Sequence, residues 1–403
     1  MSEKSPARSQ TEGKAEPTFN EALRAWASIG VLSFGGPAAQ IALMHRVVVE
    51  EKKWLEERQF LDALSFCMLL PGPEAMQLAT YIGWKLHGTI GGLAAGLLFV
   101  LPGALVVLSL AMIYALLGHV PVIEALFVGI KAAVLVIVID ALLRIARRAL
   151  ARSELWVVAA LSFVAIFFLA LPYPLIVALA ALYGSLRAPA PRGEFHIIKV
   201  TTAGSVRTAA VWLSIWLIPL LALTLASGRD GILSGIGWFF SKLAVVTFGG
   251  AYAVLAYMAQ DVVTNYGWLD AREMMDGLGL AETTPAPLIL FTECVGVLAA
   301  FHHGGEPAGG VGVIGAAVAL WATFAPCFLW IMVGAPYLEW ITNQPRLNGA
   351  LTGITAAVVG FVAHLALWFA LHVFFSQVDL ERAGLLYLWT PTLDSIDWKV
   401  VML

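Results

Sequence analysis

The sequence predicts an all-α polytopic membrane protein of two homologous inverted-topology repeats with broken or re-entrant helices, about 10–14 membrane segments in all. Three observations lead there. The 403 residues are 60% hydrophobic and only 13% charged, with mean hydropathy +0.84, far from the roughly 45–50% apolar and 25% charged of soluble domains. A single water-soluble globule is excluded. The apolar residues also fall in runs of about 20 or more, the length at which a helix crosses a bilayer. Finally, Phe34-Gly35-Gly36 returns 214 residues later as Phe248-Gly249-Gly250.

In chain order, residues 1–17 are polar and mixed in charge, with no apolar core behind a basic start, so they read as a disordered cytoplasmic tail and not as a cleaved signal. The N-terminal repeat is expected over 18–186. It begins with two short segments, interrupted at Phe34-Gly35-Gly36-Pro37 and at Pro71-Gly72-Pro73, neither long enough to cross alone. Leu93 to Leu117 and Val122 to Ile139 follow as spans. The 32-residue stretch from Leu155 to Leu186 carries Pro172-Tyr173-Pro174 in its middle. Too long for one span and broken by prolines, it reads as a tight hairpin of two short helices. A basic cytoplasmic linker is expected over 187–208 and the C-terminal repeat over 209–375. Its apolar segments are Ala209 to Ala226, Pro287 to Phe301, Val311 to Val333 and Leu347 to Phe375. Residues 376–403 form a C-terminal tail. No stretch alternates as a strand would.

The repeat keeps register without a gap. The same offset pairs Met44 with Met258, Trp54-Leu55 with Trp268-Leu269, Arg58 with Arg272, Asp62 with Asp276, and Pro71-x-Pro73 with Pro285-x-Pro287; 15 of the 40 positions from Phe34 to Pro73 are identical. Matching of apolar text by chance would not hold register across Trp, Arg, Asp and two prolines.

Lys and Arg favour the cytoplasmic side in short loops. Arg144, Arg147, Arg148 and Arg152 precede the Pro-x-Pro hairpin, and Arg187, Arg192, Lys199 and Arg207 follow it. A hairpin with both ends cytoplasmic satisfies both clusters, and sends the span before Gly228-Arg229-Asp230 outward. The second copy then starts outside and the first inside. The repeat agrees, since Arg46, Lys52 and Lys53 become Gln260, Tyr266 and Gly267.

Each copy carries two breaks at matching places. Glycine lets backbones approach or turn, and proline starts a helix without needing its N–H. A helix starting at such a break offers free N–H groups and a positive dipole end to an anion. Inverted repeats with discontinuous helices are an arrangement of secondary transporters. The competing explanation is kinks that serve close packing alone; four breaks at repeat-related positions favour transport.

Ser33-Phe34-Gly35-Gly36-Pro37 with Gln40, the run Met44-His45-Arg46, Trp54-Leu55, and Leu70-Pro71-Gly72-Pro73-Glu74-Ala75 with Gln77-Leu78-Ala79-Thr80-Tyr81 resemble the N-terminal half of the chromate ion transporters. Leu101-Pro102-Gly103-Ala104, Thr247-Phe248-Gly249-Gly250-Ala251-Tyr252 and Pro285-Ala286-Pro287 are similar too. The resemblance covers about Phe19 to Gly360. It implies a long-chain, two-domain member in the bacterial inner membrane that exports chromate, driven by the proton gradient or membrane potential. Chromate comes from the resemblance alone; sulfate or another anion on the same scaffold, a lipid-carrier flippase and a channel are the alternatives.

The substrate site is therefore expected at the four breaks: Phe34, Gly35, Gly36, Pro37 and Gln40; Pro71, Gly72 and Pro73; Phe248, Gly249 and Gly250; Pro285 and Pro287. Arg46 is the candidate cation for the anion or for attracting it; a topology-setting role would equally explain its loss from the second copy. Glu74, in an apolar setting at a helix start and replaced by Leu288 in the second copy, is the candidate proton carrier or gate, with His45 and Glu282 beside it. The Arg58/Asp62 and Arg272/Asp276 pairs, at i and i+4, suit local ion pairs. A net charge of −3 excludes a bulk nucleic-acid partner. The three cysteines form no C-x-x-C pair, so no metal or disulfide chemistry is expected, and no Walker-type loop suggests an ATPase. No cofactor and no enzymatic activity are expected. The partners are chromate, sulfate as competitor, protons and membrane lipid, with room for a homodimer.

Overall fold

Short helices separated by breaks come first in the chain. The computed structural model describes residues 17–33, 36–117, 121–189, 202–248, 261–283, 287–305, 307–342, 344–375, 377–384 and 386–396, and the single positions 255, 257, 258 and 398. Helix α1 (Phe19–Val31) starts at Thr18, whose hydroxyl accepts from the Glu21 N–H at 3.3 Å. Past the first break, α2 (Gly36–His45) runs into a π-helical turn, Arg46–Glu51. Then α3 (Glu57–Leu69) opens with a capping box of Glu56 and Gln59.

The helical stretch Glu74–Leu117 is not one rod. His87 and Gly88 leave helical geometry, Gly88 at φ +64°, and the chain doubles back. What results is a half-length helix α4 (74–86) and a full span α5 (89–117). Contacts impossible in a straight helix prove the fold-back: a Cβ added to Gly83 or to Gly91 would overlap the other's carbonyl oxygen, and one on Gly96 would meet the Thr80 hydroxyl. Gly91→Val is therefore expected to lower the Tm by several degrees in thermal unfolding, since overpacking costs about 1–3 kcal/mol. An unchanged Tm would contradict the hairpin.

Helix α6 (Pro121–Ala149) is followed by α7 (Ser153–Phe167) and α8 (Tyr173–Arg187). Glu154 on α7 reaches the Tyr183 hydroxyl at 3.4 Å and Arg187 at 3.6 Å on α8. Both ends of the Pro-x-Pro stretch thus lie together, as a hairpin requires. Helix α9 (Thr202–Ser227) begins inside the segment expected as linker. Its polar first turn, Thr-Ala-Gly-Ser, carries no apolar signal, so composition alone placed the start too late.

The second copy repeats the first. Helix α10 (Ile232–Val246) corresponds to α1, the π turn Asp261–Asn265 to Arg46–Glu51, and α11 (Ala271–Thr283) matches α3 at both ends under the 214-residue offset. A single 3₁₀ turn, Leu288–Leu290, leads into α12 (Phe291–His303), which folds back on α13 (Ala308–Gly334) with Gly296 against Gly315. Then come α14 (Leu338–Thr342) and α15 (Pro345–Phe374). Glycines let α15 press into the α7–α8 hairpin, Gly349 and Gly353 against Gly184 and Ala180, Gly360 against Ala159.

The two ends of α5 meet different copies. Beside its start, His87 meets the Pro17 carbonyl at 2.9 Å and Lys52 pairs with Glu21 at 3.0 Å. At its other end Tyr114 donates to Asp276 at 2.9 Å, and Gly309 at the start of α13 faces Met112. Gly88 to Met112 is about 36 Å of helix at ~1.5 Å per residue.

Among the described residues, four helical stretches are long and apolar enough to cross a bilayer: Glu74–Leu117, Gly204–Ser227, Ala308–Tyr337 and Pro345–Phe374. The protein is all-α and polytopic in its membrane body. The tail is the exception to an expected absence of strands: β1 (Val378–Ala383) pairs antiparallel with β2 (Leu386–Pro391) around Gly384 at φ +67°. Its Tyr387 N–H donates to the Phe168 carbonyl at 2.7 Å, pinning the hairpin on the α7–α8 turn. Val-Asp-Leu-Glu-Arg-Ala is too short and too charged to announce a strand.

Candidate functional site

The first and third breaks end a helix in the same way. The Ser33 hydroxyl donates to the Ile29 carbonyl at 2.7 Å, and its repeat equivalent Thr247 donates to the Leu243 carbonyl at 2.6 Å. Hydroxyls that bond the preceding turn satisfy a carbonyl left free where a helix stops. Past the first break α2 begins at Gly36 with free first-turn N–H groups.

The four breaks meet. One cavity is lined by Pro37 and Gln40 from the first, Gly72, Pro73, Glu74 and Ala75 from the second, Thr247 from the third, and Pro287, Leu288 and Ile289 from the fourth. It is closed down to about 10 Å³, about the room that one water needs. A backbone bond bridges the two copies across it, the Gly72 N–H donating to the Thr247 carbonyl at 2.9 Å. Gly72 holds φ +118°, and a Cβ there would sit 2.8 Å from Cys327 Sγ and 2.9 Å from Gln77 Nε2. Only glycine suits that place.

Two buried amides frame the tip. Gln77 Nε2 donates to the Pro71 carbonyl at 2.7 Å, and Gln40 Nε2 to the Ser33 carbonyl at 3.4 Å. In both, Oε1 is buried without a partner, as an assigned amide orientation leaves it. Gln77→Leu should lower the Tm by a few degrees, because freeing the half-buried Pro71 carbonyl costs about 1 kcal/mol. An unchanged melting curve would show the bond to be idle.

The lining holds no Lys or Arg among the described residues. Arg46 is about three-fifths exposed and pairs with Glu51 at 3.4 Å, and His45 sits between Glu50 at 3.3 Å and Glu57 at 2.7 Å. Both lie at the far end of α2, about 13 Å along the helix from Gly36, and neither lines the cavity. Gly36 opens α2 at φ +78° and Phe248 is half-buried against the core. Pro71 does not line the cavity; its carbonyl accepts from Gln77. Phe34, Gly35, Gly249, Gly250 and Pro285 lie outside the described residues; Glu282 is in the last turn of α11, its side chain likewise outside them. Arg58 reaches Asp62 at 3.9 Å on the surface, and Asp276 is buried and accepts from the Tyr114 hydroxyl. Gln77 and Thr247 were not among the expected site residues. Thr247 could have been found as the repeat partner of Ser33.

A helical, many-spanning body whose broken helices meet at one small cavity is the arrangement of a membrane transporter. The family model described as "Chromate transporter" matches residues 21–185 and 234–401, one stretch in each copy. The chain belongs to the chromate transporter family. It is 32% identical to the chromate transport protein of Pseudomonas aeruginosa, over 92% of this chain and 85% of the relative. To the probable chromate transport protein of Synechococcus elongatus it is 31% identical over 83% and 80%, and to the chromate transport protein of Cupriavidus metallidurans 30% over 86% and 81%. No solved structure matches.

Proposed function

We propose that this protein exports chromate from the bacterial cytoplasm by alternating access around the four-break cavity, with inverted repeats in the inner membrane and a cytoplasmic N-terminus. The observation that carries the proposal is the convergence of all four breaks on one closed cavity bridged by the Gly72–Thr247 bond. The names of the relatives supply the cargo. Opening toward the cytoplasm separates the tips and frees the Gly72 N–H and the first-turn N–H groups of α2 and α4 for the oxyanion. Opening on the other side releases it where the membrane potential favours an anion, about 2.3 kcal/mol per charge per 100 mV.

Glu74 supplies the proton coupling. With no cationic side chain among the described lining residues, a dianion beside an ionised carboxylate is repelled. Loading therefore goes with a protonated Glu74, whose proton leaves with the dianion, so each cycle carries one net negative charge outward along the membrane potential. Arg46 acts outside the cavity, collecting anions at the cytoplasmic mouth, so Arg46→Gln should reduce uptake at sub-saturating chromate about twofold and leave the saturated rate unchanged. The difference should vanish at high ionic strength; a lowered saturated rate would place Arg46 on the substrate instead.

The deciding experiment is radiolabelled chromate uptake into inside-out vesicles, with sulfate as competitor and with the proton gradient collapsed. Saturable uptake that falls when a protonophore dissipates the membrane potential supports the proposal. Uptake equal to that of vesicles without the protein would sink it.

A further inference from the structure

A second cavity, sharing no residue with the first, opens where α7, α8 and α15 end together. It measures about 390 Å³, within the roughly 300–1,000 Å³ of small-molecule pockets. Arg152 and Arg187 stand at its rim with Tyr183, Asn348 and Thr352 behind them. One carboxylate holds both cations: Glu154 lies 3.2 Å from Arg152 and 3.6 Å from Arg187, whose guanidinium also covers the Tyr183 ring at 5.7 Å. Two guanidiniums sharing one carboxylate leave a net positive charge, and each is more than three-fifths exposed. They are held side by side with donors to spare, the geometry that takes the paired oxygens of a phosphate.

The walls outside the cleft name the source of that phosphate. Leu179, Leu182 and Leu186 on α8 and Trp156 and Val157 on α7 are all exposed next to it. An apolar face that meets a basic cleft at the ends of membrane helices fits acyl chains below and a headgroup above. We propose that this cleft binds the phosphate headgroup of an anionic phospholipid, with Arg152 and Arg187 on the phosphate and Glu154 as the residue that positions them. The site is independent of the transported anion.

The test is native mass spectrometry of the full-length protein in detergent with added dioleoyl-phosphatidylglycerol or dioleoyl-phosphatidylcholine, alongside thermal unfolding with the same lipids and with inorganic phosphate. Wild type should retain phosphatidylglycerol over phosphatidylcholine, and R152Q/R187Q should retain about tenfold less. E154Q, which frees both guanidiniums, should retain more, a gain that a merely structural carboxylate would not produce. Should the double variant fail to fold, R187Q alone, at an exposed position, must show the loss. Equal retention of the two lipids, equal retention by R187Q, or the same stabilisation by inorganic phosphate as by phosphatidylglycerol would each overturn the assignment to a lipid.

Discussion

Glu74→Gln is expected to uncouple transport from the proton gradient. In inside-out vesicles held at a fixed membrane potential, chromate accumulation by the wild type should fall as the interior is made more acid, while accumulation by Glu74→Gln should not respond to the pH difference. Among the described residues Glu74 is the one carboxylate in the cavity lining, at the start of α4, and half-buried. Like charges about 5 Å apart repel by about 3 kcal/mol at an effective dielectric near 20, and a dianion doubles that figure. An ionised Glu74 would thus keep chromate out, and a protonated one admits it. The amide is permanently neutral, so the variant can load but carries no titrating proton with its cargo. Glu74→Asp keeps the titrating group and should keep the gradient response. Wild-type accumulation by Glu74→Gln at every pH would remove the proton role.

Gly72→Ala should cost both stability and transport. The residue holds φ +118°, where a side chain is strained by about 1–3 kcal/mol, and the new Cβ would press on Cys327 Sγ and Gln77 Nε2. Relief by moving the tip would stretch the Gly72–Thr247 bond that joins the two copies. A Tm lowered by several degrees and uptake reduced about tenfold are expected. Adding Cys327→Ala removes the Sγ but leaves the backbone strain, so it should restore part of the Tm and little of the uptake. Wild-type uptake and Tm in Gly72→Ala alone would show that the tip tolerates a side chain and plays no part in gating.

Much of this was legible in the chain because it is local chemistry. The 214-residue repeat was readable from Trp54, Arg58, Asp62 and the prolines, and α3 and α11 share their ends under it. Breaks announce themselves through Gly and Pro, so Pro37, Gln40, Gly72, Pro73 and Pro287 could be named as neighbours of one space before any distance was known. The start of α9 and the β-hairpin of the tail were not legible. Their short polar segments have no composition of their own, and partners elsewhere in the fold stabilise them, as the Phe168 carbonyl does for Tyr387.

The sequence by itself determined the apolar character, the two copies, the positions of the breaks and the charges available to each copy, since each is a property of residues close in the chain. Only the tertiary structure decided that Gly72 and Thr247, 175 positions apart, share a hydrogen bond, that α4 folds back on α5 at His87 and Gly88, and that Arg46 and His45 are occupied by Glu51, Glu50 and Glu57 away from the cavity. Those facts depend on which helix faces which. In an interior that is apolar nearly everywhere, that choice is made by close packing of glycines and small side chains and by a few backbone hydrogen bonds, and neither leaves a mark in composition.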